Sequence, residues 1–195
     1  PPKVPGVNGP NVIDARDIMS GKANVGEKVV IWTCSYICSF TCGARRTPIE
    51  GDPTGAHSKY SHACASGYAA VDTAEYLASL GKLVSIVTER DGVVPGMGYT
   101  SRNYLIKRLY TANIRVASDV KVKEVTKDGL MIEKAGIEFL LDADTVVVTV
   151  GERSDRTLAK ALEGKVAELY KVGDGALVGN AMKAIESAFK VAVKI

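Results

Sequence analysis

The sequence predicts an α/β fold, a parallel sheet with helices on its faces and an antiparallel β-meander attached. Three observations carry the prediction. Short apolar runs rich in β-branched residues alternate with helix-spaced segments through residue 118. Three more strand-like runs then follow one another with only turns between them. Finally, "TVVVTV" at 145–150 is continuously apolar and bounded by Gly151, the pattern of a strand buried on both faces. Alternating β and α segments imply a parallel sheet, and the consecutive runs imply a meander.

The elements follow in order. Residues 1–12 are rich in Pro and Gly and should be extended, and "DARDIMSGK" (14–22) suits a short helix closed by Gly21. "KVVIWT" (28–33) is the first strand. Residues 35–64 have no clear period and many turn formers, including "GDPTG", so they read as a long excursion. From Gly67, the positions Tyr68, Val71, Ala74, Leu77, Ala78 and Leu80 form a helical stripe, with Gly81 as its C-cap. "KLVSIVT" (82–88) is the second strand, 100–111 a helix, and "NIRVAS" (113–118) a third strand. The meander takes 120–125, 130–134 and 137–141, with turns at "KDG" and Gly136. After "TVVVTV" the pattern predicts a helix over 156–162, a strand over 167–172, a "GDG" turn and a final helix. That helix carries Ala181, Met182, Ile185, Ala188, Phe189, Ala192 and Val193 on one face.

The 195 residues allow one large or two small domains, and 46% apolar content is enough for a packed core. A net charge of +3, from 25 basic and 22 acidic residues, is too balanced to suggest nucleic acid or an anionic membrane as partner. No apolar run approaches the roughly 20 residues that span a bilayer. The opening "PPKVPGVNGPNV" resembles neither a signal nor a transit peptide and reads like a linker inside a longer chain. A cytoplasmic setting with reduced thiols is the expectation.

The chemistry-bearing motif follows the excursion. On the pattern G-x-G-x-x-G/A, "ASGYAA" places Ala65, Gly67 and Ala70 at the three key positions. Gly67 keeps the position that lets a pyrophosphate approach the backbone, and Ala70 suits helix–strand packing. Ala65 departs from the tight-turn glycine. With Tyr68 and Ala69, Gly67 would form a helix N-terminus whose free N–H groups and dipole favour phosphate. Glu89, 22 residues beyond Gly67, ends the second strand where an acid can bind the adenosine ribose hydroxyls. The fold is therefore Rossmann-like. Glu89 favours NADH, whereas the adjacent Arg90 could accept the 2′-phosphate of NADPH. The plainer alternatives are a helix–sheet contact at Gly67 and a solvated strand end at Glu89 and Arg90.

Five stretches then resemble one enzyme group in order: "PGVNGPNVIDARDIMSGK", "KVVIW", "DTAEYLASLGKLVSIVTE", "DTVVVTVGERSDRTLAKAL" and "VGDGALVGNAMKAIESAF". They are similar to the pyridine-nucleotide half of multidomain NADH:flavin oxidoreductases, the family of 2,4-dienoyl-CoA reductase, 2-enoate reductase and trimethylamine dehydrogenase. The resemblance implies a fold of the FAD/NAD(P)-binding superfamily. It implies a linker and part of a FAD domain at 1–24, an NAD(P)H-binding domain at 25–151 with an insert at 35–64, and the C-terminal part of the FAD domain at 152–195. It implies NADH or NADPH as partner, FAD in the parent chain, and FMN with an iron–sulfur cluster in domains outside this sequence. Thr149, Val150 and Gly151 look like the segment where the chain leaves the nucleotide sheet beside the cofactor. Gly173 and Asp174 look like the pair near the FAD pyrophosphate and ribityl chain. A turn or an N-cap is the local alternative for Asp174.

All four cysteines and both histidines lie between Cys34 and Cys64. Cys34, Cys38, Cys42 and Cys64 are candidate metal thiolates, with His57 or His62 as alternates. The C-x3-C-x3-C spacing matches neither the zinc knuckle nor a redox dithiol, so small buried cysteines packing the excursion are the main expectation. The same stretch, with Arg45, Arg46 and Lys59, could instead cap the cofactor or contact another domain. Three functions are consistent with these residues. The chain could receive NAD(P)H and pass hydride to a flavin in a parent that reduces an enoate or enoyl thioester, with no catalytic side chain of its own. It could be a non-catalytic ADP-holding module. It could be a metal-binding interaction module.

Overall fold

The structure is a computed structural model that describes residues 3–33, 65–89, 92–94, 97–149, 154–178 and 181–195. The elements are β1 (Val12–Asp14), α1 (Ala15–Met19), β2 (Lys28–Thr33), α2 (Ala65–Ser79), β3 (Leu83–Thr88), α3 (Tyr99–Thr111) and β4 (Arg115–Ala117). Then come β5 (Lys121–Thr126), β6 (Gly129–Lys134), β7 (Ile137–Asp142), β8 (Thr145–Thr149), α4 (Thr157–Leu162), a 3-10 turn (Gly173–Gly175) and α5 (Ala181–Ala192).

The first sheet has the order β1-β8-β2-β3-β4, and every pairing in it is parallel. The meander β5-β6-β7 is antiparallel, with a register irregularity between Val122 and Glu124. The two sheets and the helices form three layers. Because strand side chains alternate, Val29 and Ile31 of β2 point to one face and Val30 and Trp32 to the other. The first pair packs with α1, α2 and α3 through Ile18, Val71, Ala74, Leu77, Leu105 and Leu109. The second pair packs under the meander with Val122, Val125, Leu130 and Ile132. A strand buried on both faces needs a continuous apolar run, and β2 and β8 supply it. Each such side chain contributes about 1.5–3 kcal/mol relative to exposure.

Local sequence explains the element ends. Asp14 caps α1, its carboxylate accepting from the Arg16 backbone N–H at 2.8 Å. At the end of α2 the Lys82 N–H donates to Leu77 O and the Gly81 N–H to Ala78 O, which satisfies the last carbonyls. Gly129 starts β6 at φ +140°, and a Cβ there would collide with the Leu141 carbonyl oxygen of β7.

Three sequence expectations change. The opening stretch is not only extended: Val4 and Val7 pack on the second core, the Val125 N–H donates to Pro5 O, and Asn11 Nδ2 donates to Thr126 O. Residues 12–14 form a strand that the sequence reading missed, since a three-residue strand has too little period to see. The strand expected at 167–172 does not form, and 168–172 carry no regular structure. An apolar run becomes a strand only against a neighbour, and no other strand of the described residues lies beyond β8 in the sequence.

Candidate functional site

The parallel sheet has one point where the direction of chain winding reverses. From β2 the chain steps through α2 to β3 and through α3 to β4, all on one side, whereas β8 and β1 lie on the other side of β2. In open α/β sheets, ligands bind outside the carboxyl ends of the strands at such a switch point. Here that crevice lies at Thr33 of β2 and Thr149 of β8, which pair in register.

α2 is the helix that starts after β2; its first turn holds Gly67 and Tyr68, and Ala69 follows that turn. Gly67 is buried and Tyr68 and Ala69 are half-buried. Ala70 is fully buried in the helix–sheet core, the role its position in the motif predicts. No acidic residue sits in the first turn. The positive end of the α2 dipole is therefore not offset by a carboxylate of its own turn, and an anion can take that role. Glu89 follows the last residue of β3 and is half-buried. Since β3 is the neighbour of β2, with Thr88 paired to Thr33, Glu89 stands one strand away from the switch point on the same carboxyl edge.

Tyr68 also lines a groove of about 430 Å³ between α2 and α3, with Asp72, Glu75, Thr100, Tyr104 and Arg108 among the other lining residues. An ion pair between Arg108 and Glu75 links the two helices there. Arg102 donates from Nε to the Val93 carbonyl at 3.1 Å, tying α3 to the loop that follows Glu89.

Gly173 and Asp174 lie in the 3-10 turn. Gly173 has φ +54°, its N–H donates to Ser187 Oγ at 2.8 Å, and a Cβ there would press on Ala184. Both neighbours belong to α5, so this glycine serves the close approach of turn and helix. Asp174 lies within the turn, well before α5 begins at Ala181, so it is not the N-cap of that helix. Arg90, Val150 and Gly151 lie outside the described residues, as do all four cysteines, both histidines and the whole of 35–64.

The sequence reading placed Thr149 at the exit from the nucleotide sheet but missed the polar contacts at the two ends of β8. At the amino edge, Thr145 Oγ1 accepts from the Gly26 N–H at 3.0 Å, and the Asp144 carboxylate accepts from the N–H groups of Glu27 and Lys28 at 2.9 and 2.8 Å. The bond from the Lys28 N–H holds the Asp144 carboxyl below its ordinary pKa, helped by the Glu27 N–H and the Lys28 and Lys82 charges. At the carboxyl edge, the Thr149 hydroxyl donates to the Trp32 carbonyl oxygen at 3.3 Å. No local pattern marks these contacts, because the partners are more than 110 positions away in the sequence.

A family model for pyridine nucleotide-disulphide oxidoreductases matches residues 64–183. The chain belongs to this family. It is 26% identical over 200 residues to a metal reductase of Desulforamulus reducens, covering 99% of this chain and 28% of that protein. It is 26% identical over 187 residues to a cinnamate reductase of Clostridium sporogenes, covering 94% of this chain and 23% of that protein. Among solved structures it resembles 2-naphthoyl-CoA reductase at a TM-score of 0.76 and 26% identity, over all of this chain and 25% of that one. The chain thus spans about a quarter of the length of these proteins. The FAD/NAD(P)-binding fold and the place among oxidoreductases agree with the sequence reading at that level. Among the described residues no helix is long and apolar enough to cross a membrane.

Proposed function

We propose that the chain is the dinucleotide-binding part of a larger flavin-dependent reductase, and that it receives NADH or NADPH and presents it to a flavin held with the rest of the parent chain. The observation that carries this reading is the first turn of α2. It follows the central strand β2, contains the buried Gly67 and lacks an acid of its own, and Glu89 comes directly after the next strand. These residues fit a dinucleotide. The α2 N–H groups would hold the pyrophosphate, and Glu89 would accept hydrogen bonds from the adenosine ribose. A bound nicotinamide supplies the hydride, so the residues of this chain bind and orient, and none need act as acid or base.

Residues 25–151 would form the nucleotide domain. Residues 152–195 would complete a flavin domain whose remainder lies elsewhere in the parent. The apolar face of α5, left without cover among the described residues, supports that assignment, since Met182, Ile185 and Phe189 are all exposed. Gly173 and Asp174 alone do not make a flavin site, as no described residue from 154 to 195 is buried. FMN and the iron–sulfur cluster would belong to the remainder of the parent. The substrate class we propose for that parent is an unsaturated acid or its thioester. The relatives named for cinnamate and 2-naphthoyl-CoA support it.

The test is calorimetric titration of the purified chain with NADH, NADPH and ADP. Binding of a nicotinamide dinucleotide more tightly than ADP is expected. The departure at Ala65 favours the rival, a module that only holds ADP. Equal affinity for ADP and both dinucleotides would establish that rival.

A further inference from the structure

α3 has three distinct sides. Leu105 and Leu109 are buried in the helix–sheet core, and Tyr104 and Arg108 look toward α2 across the groove. On the third side Tyr99, Asn103, Ile106 and Tyr110 follow at steps of four, three and four residues, which on a helix is one stripe. Tyr99 is 83%, Ile106 42% and Tyr110 85% exposed. Tyrosine is a frequent interface anchor, because it offers a large amphipathic surface with few rotamers to lose. The stripe lies on the side of α3 away from α2, toward β4 at the end of the sheet. Val116 of β4 pairs with Ile86, whose side chain packs on the helix face, so Val116 shares that face, and it is 40% exposed. Among the described residues no strand lies beyond β4.

We propose that two copies of the chain meet at this edge, with α3 packed antiparallel on the α3 of the second copy. The stripe itself selects that occupant. Its 4-3-4 spacing reads the same from either end, so a two-fold axis sets Tyr99 opposite the partner's Tyr110 and Asn103 opposite the partner's Ile106. Alternating steps of three and four are also the seam along which nearly antiparallel helices pack. The two tyrosines alone offer on the order of 300 Å² of the roughly 800 Å² per partner that a standard interface buries. Ile106, Asn103 and Val116 add to it, so the dimer is a reversible one. The stripe carries no charge. Of the cations on α3, Arg108 pairs with Glu75 and Arg102 donates to the Val93 carbonyl, both off the stripe. Lys107 flanks it, so the contact should tighten as salt screens that like charge. This contact uses none of the residues assigned to the nucleotide and stands apart from the dinucleotide reading.

The test is sedimentation equilibrium of the full chain, with Phe189→Glu present throughout so that the exposed face of α5 does not drive association. A concentration-dependent dimer is expected. Ile106→Glu should raise its dissociation constant at least about tenfold, the scale of losing an interface anchor, with helix content by circular dichroism unchanged. Tyr99→Glu and Tyr110→Lys should each weaken self-association. An equimolar mixture of those two chains should associate more tightly than either alone, because the substituted positions face each other across the axis. That rescue separates a defined antiparallel pair from general stickiness. A monomer at every concentration would leave the edge to a different occupant and overturn the proposal. A dimer indifferent to Ile106→Glu, or a mixture no tighter than its components, would overturn it as well.

Discussion

The five-stranded sheet and the segment from 154 to 195 use the same apolar residue types in opposite ways. In β2, Val29, Val30, Ile31 and Trp32 are each no more than 2% exposed. In α5, Ile185 is 70% and Phe189 66% exposed, although the helix is as clearly amphipathic as any in the chain. Ion pairs do not separate the two regions. Lys123 reaches Glu133 and Glu138 across the meander at 3.0 and 3.1 Å, and Lys190 reaches Glu186 on α5 at 2.6 Å. What differs is cover. The sheet has helices on one face and the meander on the other, whereas the hydrogen bonds of the later segment link its own short pieces, Arg156 to Ala176 and Gly173 to Ser187. Hydrogen bonds and ion pairs shape a segment locally, but apolar burial against a second layer makes a core.

The largest expected effect follows from that contrast. Ile31→Ala should destabilise the sheet by about 2–5 kcal/mol in urea unfolding, because it empties a fully buried site between packed layers. Phe189→Ala in the same chain should change stability by no more than about 0.5 kcal/mol, since little is lost at an exposed side chain. A comparable loss from both would break the comparison and show α5 covered within this chain.

Asp144 tests whether polar contacts at the sheet edge rival the core. Its carboxyl pKa is lowered when folded, chiefly by the Lys28 N–H. A depressed carboxyl stabilises the fold above its unfolded pKa, about 3.9. That stabilisation is lost as pH falls through the lowered folded value. Asp144→Ala should therefore lower the melting temperature by less than Ile31→Ala at neutral pH, and the difference from the unmodified chain should shrink on acidification below the aspartate range. A gap that widened with acid would overturn this account. The smallest effect belongs to Lys123. Its pKa is raised by Glu133 and Glu138, but the group is open to solvent, so any loss of stability in Lys123→Ala should vanish at high salt. A salt-independent loss would point to a packing role for its aliphatic stem instead.

Much of the fold was legible because its signals are local. "KVVIWT" occupies the strand the run implied, and the helix expected from Gly67 starts two residues earlier, at Ala65, and ends at Ser79, just before the glycine expected to cap it. All three meander strands appear within a residue or so of their predicted ends. The acid after β3 and the glycine in the first turn of α2 were found from spacing alone, since a nucleotide turn is a short-range device. The run at 167–172 misled because apolar β-rich sequence states a preference that only a neighbouring strand can satisfy.

The sequence by itself determined the strands and helices other than β1 and the unformed strand at 167–172, where the meander begins, and which residues form the candidate dinucleotide turn. Each of these depends on neighbours a few positions apart. The tertiary structure decided that β8 inserts between β1 and β2, so that the switch point lies between β2 and β8. It also brought Thr149 to Trp32 and Asp144 to Lys28, and left the apolar face of α5 without cover among the described residues. These outcomes depend on contacts across more than a hundred residues of chain, and parallel pairing between distant strands leaves no period in the sequence from which to read them.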